Sequence, residues 1–340
     1  MATRRASREA LPLLIILLLG ACSPQPKDCA RPDVFCAGLV TDYGTVEAGI
    51  QREAWLGLQD AQAQRLIDRI DVIETVDARD RAANIAVLAG ENYDVIVTVG
   101  ASMSDATETA AHQNPALSFI GVEQPGVAAL PNLTRLVFHE DRSAFLAGAL
   151  AARMTQTGTV AAVCEAKFID SMRRYCDGFQ AGARYIQPGI RVLVAYRDGS
   201  PDLLFNDSVW GRAAALRQIQ AGADVLFAAG GSTADAALQA AAAQGVSLIG
   251  SETDLYLDRP DLRALLLTSA VNDVRSGVLN LVRLARQREL PAGEYFGASK
   301  LADFHDWDRR IPTDVKSELE QMRSGLDLGQ ISPDVPYEMP

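Results

Sequence analysis

The feature that most constrains the fold is a repeated alternation of short apolar runs with longer amphipathic stretches. The short runs are rich in β-branched residues and predict strands, and the stretches between most of them have helical periodicity. The predicted strands cover residues 34–40, 72–76, 95–99, 117–122, 134–138, 160–164, 192–196, 225–228, 246–249 and 265–268. The predicted helices cover residues 50–63, 101–113, 142–154, 172–186, 211–221, 233–243 and 271–289. This alternation predicts an α/β fold of parallel strands joined by right-handed crossovers.

The number of strands favours two lobes, since a single domain would need an unusually wide sheet. We place the first crossing between lobes near residues 135–139 and a second one after Ile249. The first lobe is then expected at 34–138 plus about 252–290, and the second at 139–251 plus about 291–340. Each lobe is predicted to be a parallel sheet flanked by helices.

The N-terminus has the pattern of an export signal. Residues 1–21 contain three early arginines, an apolar run and small residues before Cys22, which predicts a secretory signal peptide. Leu19-Gly20-Ala21-Cys22 resembles the bacterial lipobox, in which the cysteine is acylated and becomes the mature N-terminus. We therefore expect a lipid anchor on Cys22, a tether over 22–33 and an extracytoplasmic, membrane-anchored protein. A plain signal peptide with an incidental Cys22 is the alternative.

Export places the other four cysteines, Cys29, Cys36, Cys164 and Cys176, in an oxidising compartment. Four cysteines allow three disulfide connectivities, and the pairs that are close in sequence, Cys29–Cys36 and Cys164–Cys176, are favoured. The chain has no Cys-x-x-Cys spacing, and its three histidines are not near the cysteines in sequence. Structural disulfides are therefore predicted, and no metal site.

The formal net charge of −11 argues against binding to nucleic acid or to anionic lipid. The sequence shows no Gly-x-Ser-x-Gly elbow, phosphate-binding loop or metal-spaced histidine cluster. These observations favour a binding protein without a cofactor over an enzyme. The enzymatic alternative is a hydrolase that uses Asp42 with Glu123 or Glu252 as acid and base.

Polar residues follow several of the predicted strands, where ligands of parallel sheets bind. Asp42 and Tyr43 follow the first strand, Glu123 follows the fourth, and Gly231 and Glu252 follow later strands. Taken singly, each could be a turn, cap or surface residue. Taken together, they predict a polar cleft, in which the Gly230-Gly231 pair exposes backbone N–H groups before a helix.

The chain resembles the basic-membrane-protein family of ABC-transporter substrate-binding lipoproteins, whose best-understood members bind purine nucleosides. The resemblance covers nearly all of the mature chain. It rests on an ordered set of segments: Thr41-Asp42-Tyr43-Gly44, Trp55-Leu56-Gly57, Ala144-Phe145-Leu146-Ala147-Gly148, Gly178-Phe179-Gln180-Ala181-Gly182, Ala228-Ala229-Gly230-Gly231 and Phe304-His305-Asp306. It implies a type I periplasmic-binding-protein architecture, hinge closure over a small ligand and delivery to an ABC permease. A sensing lipoprotein that reports to a membrane receptor is the alternative.

The chain departs from the family's pattern at positions expected to contact the ligand. Gly49-Ile50-Gln51 stands where the family has Ser-Phe-Asn, Glu123 and Glu252 replace aspartates, and Asn272 replaces a lysine. Phe205 matches the family's Phe-x-Asp segment, which implies that it stacks on a heterocycle; a core aromatic is the alternative. The predicted ligand-binding residues are Asp42, Tyr43, Gln51, Glu123, Phe205, Gly231, Glu252 and Asn272. The expected ligand is a nucleoside or a related heterocycle, which these substitutions would hold in a reshaped pocket.

Overall fold

The computed structural model describes residues 28–42, 44–124, 126 and 129–335. The predicted signal peptide, Cys22, the first part of the tether and Tyr43 lie outside these residues. Within the described part of the chain, no helix has the length and apolar character needed to cross a membrane.

Twelve strands are formed by the described residues, and they are close to the predicted ones. They are β1 (Cys36–Thr41), β2 (Arg69–Ile73), β3 (Val95–Val99), β4 (Ser118–Val122), β5 (Leu133–Phe138), β6 (Thr159–Cys164), β7 (Arg191–Tyr196), β8 (Val225–Ala229), β9 (Ser247–Glu252), β10 (Leu266–Asn272), β11 (Gly293–Gly297) and β12 (Ser299–Leu301). The prediction missed β11 and β12, which lack a continuous apolar run and are partly exposed.

Ten α-helices lie between or after these strands in the described part of the chain. They are α1 (Gly49–Ala63), α2 (Arg81–Gly90), α3 (Ser104–Gln113), α4 (Glu140–Met154), α5 (Asp170–Ile186), α6 (Ser208–Gln220), α7 (Gly231–Ala242), α8 (Leu255–Asp258), α9 (Val274–Gln287) and α10 (Thr313–Asp327). The prediction missed α2, α8 and α10.

The strands form two six-stranded sheets, with the orders β11-β5-β4-β3-β1-β2 and β12-β10-β9-β8-β6-β7. Every neighbouring pair is parallel except β10 and β12. Strands β1, β3, β5, β6, β8 and β10 are buried along their whole length because helices cover both faces of each sheet. Each sheet, with its helices, forms one lobe.

The chain passes between the lobes at His139, Asp273 and Ala298, which lie between successive elements of different lobes. The predicted return to the first lobe after Ile249 is therefore wrong for the strand at 265–268. It is right for the helix predicted at 271–289, because α9 packs on α1 of the first lobe. Residues 265–268 lie at and within the start of β10, which pairs with β9 in the second sheet, whereas β11 pairs with β5 in the first. An apolar strand that is buried on both faces carries no pattern that indicates which of two similar sheets it joins.

The two disulfides join the pairs that are close in sequence. Cys29 and Cys36 have Cα atoms 5.8 Å apart, and those of Cys164 and Cys176 are 6.2 Å apart. The predicted connectivity is confirmed. The first bridge ties the segment before β1 to that strand, and the second ties the end of β6 to α5.

Candidate functional site

The carboxyl edge of the first sheet carries a row of polar residues. Thr41 pairs with Val99 and Val99 with Val122, so the last residues of β1, β3 and β4 lie side by side. Asp42, Gly100 and Glu123 follow these strands directly. The pairing places them along one edge of the first lobe.

The second sheet has an equivalent edge. Cys164 pairs with Ala229, and Val271 pairs with Glu252, so β6, β8, β9 and β10 also end close to one another. This edge carries Glu165, Gly230, Glu252 and Asn272.

Two contacts join these edges across the lobes. Asn272 Nδ2 at the end of β10 donates a hydrogen bond of 3.0 Å to Glu123 Oε1. Arg52 of α1 forms an ion pair with Asp258 of α8. The two carboxyl edges therefore face each other, which is the arrangement of a ligand cleft between lobes.

Glu123 and Glu252 form an interacting acidic pair in this cleft, with one carboxylate from each lobe. Both have left-handed backbones, with φ of +55° and +69° respectively, a conformation that L-residues adopt rarely and that occurs often at functional sites. Burial, with repulsion from Glu123, raises the pKa of Glu252 from 4.5 to about 8. Burial also raises the pKa of Glu123, and the hydrogen bond from Asn272 opposes this effect. Such a pair accepts hydrogen bonds strongly, and it carries a proton more readily than an exposed pair does.

A second buried group lies next to the acidic pair. Glu140, in the first turn of α4, forms an ion pair with Arg174 of α5, and both side chains are almost fully buried. Burial raises the pKa of Glu140 to about 8, although Arg174 opposes the shift. Burial raises the pKa of the Tyr175 hydroxyl, and the carboxylates of Glu140, Glu252 and Glu123 raise it further. A hydrogen bond from the backbone of Glu252 opposes this effect.

Asp42 is held by partners within the first lobe. Its carboxylate accepts a hydrogen bond from Ser102 and forms an ion pair with Arg81 of α2. Gly100, with φ of +108°, leaves room for this side chain, because a Cβ there would lie 2.8 Å from Asp42 Cβ. Any ligand group that binds Asp42 therefore shares it with Arg81.

Phe205 is an exposed aromatic side chain and does not belong to the core, since 37% of its surface is accessible. Its left-handed backbone is held by two hydrogen bonds: its N–H donates to Glu165 Oε2 at 2.9 Å, and its carbonyl accepts from Ser232 N–H at 2.9 Å. A Cβ at Gly231 would lie 2.7 Å from the Phe205 carbonyl oxygen, so this close approach requires glycine.

Glu165 organises this part of the second lobe. Its buried carboxylate forms an ion pair with Arg197 and accepts a hydrogen bond of 3.0 Å from Thr233 Oγ1. The same carboxylate accepts the hydrogen bond from the Phe205 N–H. The position of the loop that carries Phe205 therefore depends on the buried ion pair between Glu165 and Arg197.

Comparison with known proteins identifies the family to which the chain belongs. The sequence profile of the family described as "ABC transporter substrate-binding protein PnrA-like" matches residues 37–297. The chain belongs to this family. Substrate-binding proteins of ABC transporters act outside the cytoplasmic membrane, and their partners are a small-molecule ligand and a transporter. The resemblance to basic membrane proteins is confirmed.

Two relatives and one solved structure illustrate the relationship of this PnrA-like chain. It is 25% identical to "CD4+ T-cell-stimulating antigen" of Listeria monocytogenes, over 96% of this chain and 98% of the relative. It is 28% identical to "ABC transporter nucleoside-binding protein BmpA" of Lactococcus lactis subsp. cremoris, over 57% of this chain and 55% of that protein. A solute-binding protein of an ABC transporter system from Aeropyrum pernix superposes with a TM-score of 0.68 at 18% identity, covering 89% of this chain and 94% of that one. The predicted two-lobe fold is confirmed.

The predicted site residues of this PnrA-like chain fall into groups. Glu123, Glu252 and Asn272 interact directly, and Phe205 contacts Gly231. Asp42 lies in the same row as Glu123, and Gln51 lies partly buried at the start of α1. Convergence of all these side chains on one ligand stays a prediction.

Sequence reasoning missed several residues at the site. They are Arg81, Glu140, Glu165, Arg174, Tyr175 and Arg197. Arg81 lies in the unpredicted α2, and the others interact with residues that are distant in sequence. One available signal was the position of Glu165 directly after β6, which matches that of Glu123 after β4.

Proposed function

We propose that this protein captures a nucleoside or a related flat heterocycle between its lobes and delivers it, chemically unchanged, to an ABC permease. The observation that carries the proposal is the Glu123–Asn272 hydrogen bond, because it brings the carboxyl edges of the two sheets together. Membership of a substrate-binding family supports the capture of a small molecule. The relative named as a nucleoside-binding protein supports the ligand class.

Binding works by hinge closure. A ligand that contacts both lobes stabilises the closed state, and closure removes the ligand from water. Asp42 and Glu252 accept hydrogen bonds from ligand hydroxyl groups, and Gln51 and Glu123 contact the edge of the ring. Phe205 stacks on the face of the ring, which its exposure in the described structure leaves available.

The test is a thermal-shift screen of the signal-free, unlipidated protein over nucleosides, bases, sugars and amino-acid-like compounds, followed by calorimetry on the hits. Nucleosides are expected to raise the melting temperature, because ligands that bind only the native state stabilise it. Chromatography after incubation is expected to recover the bound nucleoside intact. A screen in which only sugars or amino acids bind would contradict the ligand class, and recovery of a free base would indicate a hydrolase.

Phe205→Ala tests the stacking role. The change is expected to weaken nucleoside binding by about 1–3 kcal/mol, the usual range for base–aromatic stacking. Tyr185→Ala is the matched control, because Tyr185 is an exposed aromatic at the far end of α5. Phe205→Ala should melt close to the parent. Tyr185→Ala is expected to melt slightly lower, because its ring packs on that of Phe145 with centroids 5.3 Å apart. Unchanged nucleoside affinity in Phe205→Ala would show that the ring does not contact the ligand.

We infer that the mature protein is anchored through lipid on Cys22. The Cys22→Ser change is expected to release the protein from the membrane fraction without unfolding it. Stable retention needs more than one acyl chain, because a single chain binds a bilayer only marginally. A Cys22→Ser variant that stays in the membrane fraction after signal removal would contradict the anchor.

A further inference from the structure

The chain enters the fold at the amino edge of the first sheet, where strands β1 to β4 begin side by side. Cys29 is bridged to Cys36, the first residue of β1, and only 7% of its surface is exposed. The Phe35 N–H donates a hydrogen bond of 3.0 Å to Asp68, which directly precedes β2. The Cys36 N–H donates one of 2.7 Å to Asp94, which directly precedes β3. The segment from Cys29 to β1 is therefore fastened to this edge.

The amino edges of the two sheets lie at opposite ends of the molecule. The carboxyl edges face each other, because Asn272 of the second sheet donates a hydrogen bond to Glu123 of the first lobe. Strands β1 and β6 each contain six residues, which is about 20 Å of strand between the amino and carboxyl edges. The amino edge of the second sheet is therefore about 40 Å or more from that of the first.

The disulfide limits the length of chain between Cys22 and the fold. Cys29 is seven residues after Cys22, and seven residues in any conformation span at most about 25 Å. Cys36 is fourteen residues after Cys22, which corresponds to a span of at most about 50 Å. Because Cys29 is held at the start of β1, the bridge halves the length of chain that can separate the fold from an anchor at Cys22.

We propose that the amino edge of the first sheet lies next to the phospholipid headgroups of the bilayer and that the second lobe is held farther away. This inference rests on the proposed lipid anchor at Cys22. A chain of about 25 Å reaches the amino edge of the first sheet, and the opposite end of the molecule is about 40 Å farther from the point of attachment. The ligand cleft then lies about one strand length, 20 Å, beyond the edge that contacts the headgroups.

The exposed charges of this edge suit zwitterionic headgroups. Arg31 pairs with Asp33 at 2.8 Å, and Arg286 pairs with Asp68 at 3.5 Å. Paired charges of opposite sign produce little net field, so this edge is neither strongly attracted to nor strongly repelled by such a surface. The length of the tether, and not the charge of the edge, therefore sets the distance to the bilayer.

The amino edge of the second sheet is the rival surface. Arg191, at the start of β7, and Arg217, in the last turn of α6, are exposed there. Anionic lipid would attract these arginines, so the experiment includes membranes with and without it.

The experiment measures energy transfer from a fluorophore on the lipidated full chain to acceptor lipids in vesicles of phosphatidylcholine, with and without phosphatidylglycerol. The fluorophore is attached to Ala116→Cys or to Gln244→Cys, which replace exposed residues in the turns before β4 and β9. These turns lie at the amino edges of the first and second sheets, so the two variants are matched. Melting curves confirm that both labelled variants are folded.

Energy transfer is expected to be strong from Ala116→Cys and weak from Gln244→Cys in both kinds of vesicle, because the second label is about 40 Å farther from the bilayer. Equal transfer from the two labels, or stronger transfer from Gln244→Cys in either kind of vesicle, would overturn the inference and leave the anchor standing. A lipobox-bearing chain that does not associate with vesicles would overturn the anchor, and the inference with it.

A longer tether tests the cause of this arrangement. Insertion of about twelve Gly and Ser residues between Lys27 and Asp28 lengthens the tether by about 20 Å on average. Transfer from Ala116→Cys is then expected to fall, while the chain stays bound to the vesicles. Unchanged transfer would show that the tether does not set the position of the first lobe, and it would overturn the inference.

Discussion

At the scale of single residues, the site depends on buried charges whose partners are distant in sequence. Glu165 is the clearest case, because its carboxylate neutralises Arg197 and also holds the backbone N–H of Phe205. Removing one member of a buried ion pair leaves an unpaired charge in a medium that solvates it poorly.

Glu165→Ala is therefore expected to destabilise the protein by about 3–5 kcal/mol, measured by urea unfolding. Glu320→Ala is the control: it breaks an exposed ion pair with Arg323 and should cost at most about 1 kcal/mol. Similar unfolding free energies for the two variants would show that Glu165 is not an essential buried partner.

The pH dependence of stability is also set by single residues, of which Glu252 is the clearest case. The pKa of Glu252 is about 8 in the folded protein, above its ordinary value of 4.5, so folding favours the protonated form. Its stabilising contribution is complete below the unfolded pKa and is lost as the pH rises through about 8. In urea unfolding at about pH 5, 7 and 9, the parent should lose more stability toward alkaline pH than Glu252→Gln. Parallel pH profiles would contradict this assignment, and the comparison cancels the titrating groups that do not interact with Glu252.

At the scale of elements, the disulfide between Cys164 and Cys176 joins β6 to α5, next to Tyr175. Replacing both cysteines with alanine should lower the free energy of unfolding by about 2–3 kcal/mol, because the bridge closes a short loop. The measurement is urea unfolding without reductant. The Cys29/Cys36 double alanine variant is the comparison, and its shorter loop predicts a smaller loss.

The elements that the sequence predicts well are those whose burial dictates their composition. The predicted bounds of strand β3 match the observed ones, since it is apolar, β-branched and buried throughout. Strands β11 and β12 were missed because they lack a continuous apolar run and are partly exposed. Helix α10 was missed because charged residues dominate its exposed face.

The sequence predicts the site residues only where a polar residue lies at the end of a strand. Asp42, Glu123 and Glu252 were found because each lies at the end of an apolar strand, and strand ends meet at one edge of a parallel sheet. Glu140 lies in the first turn of α4 and Tyr175 lies within α5, and their contacts come from the packing of these two helices inside the second lobe. The assignment of β10 to the first lobe was wrong because a strand buried on both faces is apolar throughout. Its sequence does not indicate which of two similar sheets it joins.

At the scale of the whole molecule, two lobes are joined at His139, Asp273 and Ala298 and held near each other by few contacts. His139 stacks on Phe296 with ring centroids 4.4 Å apart at this hinge. The Arg52–Asp258 ion pair bridges the lobes away from the crossovers. A few polar contacts between otherwise separate cores allow the lobes to open and close.

Arg52→Ala should shift the empty protein toward an open form, seen as a larger radius of gyration in small-angle X-ray scattering. It should also weaken ligand binding, since closure then lacks one stabilising contact. Arg275→Ala, which breaks an ion pair with Asp60 inside the first lobe, is the control. An unchanged scattering profile in Arg52→Ala would show that this ion pair does not control closure.

The most direct test of the proposed function is a crystal structure of the protein with the nucleoside that stabilises it most in the thermal-shift screen. We expect an intact nucleoside between the two carboxyl edges, in contact with Glu123 from the first lobe and Glu252 from the second. A nucleoside bound outside the cleft, or density for a separated base and sugar, would contradict the proposed function.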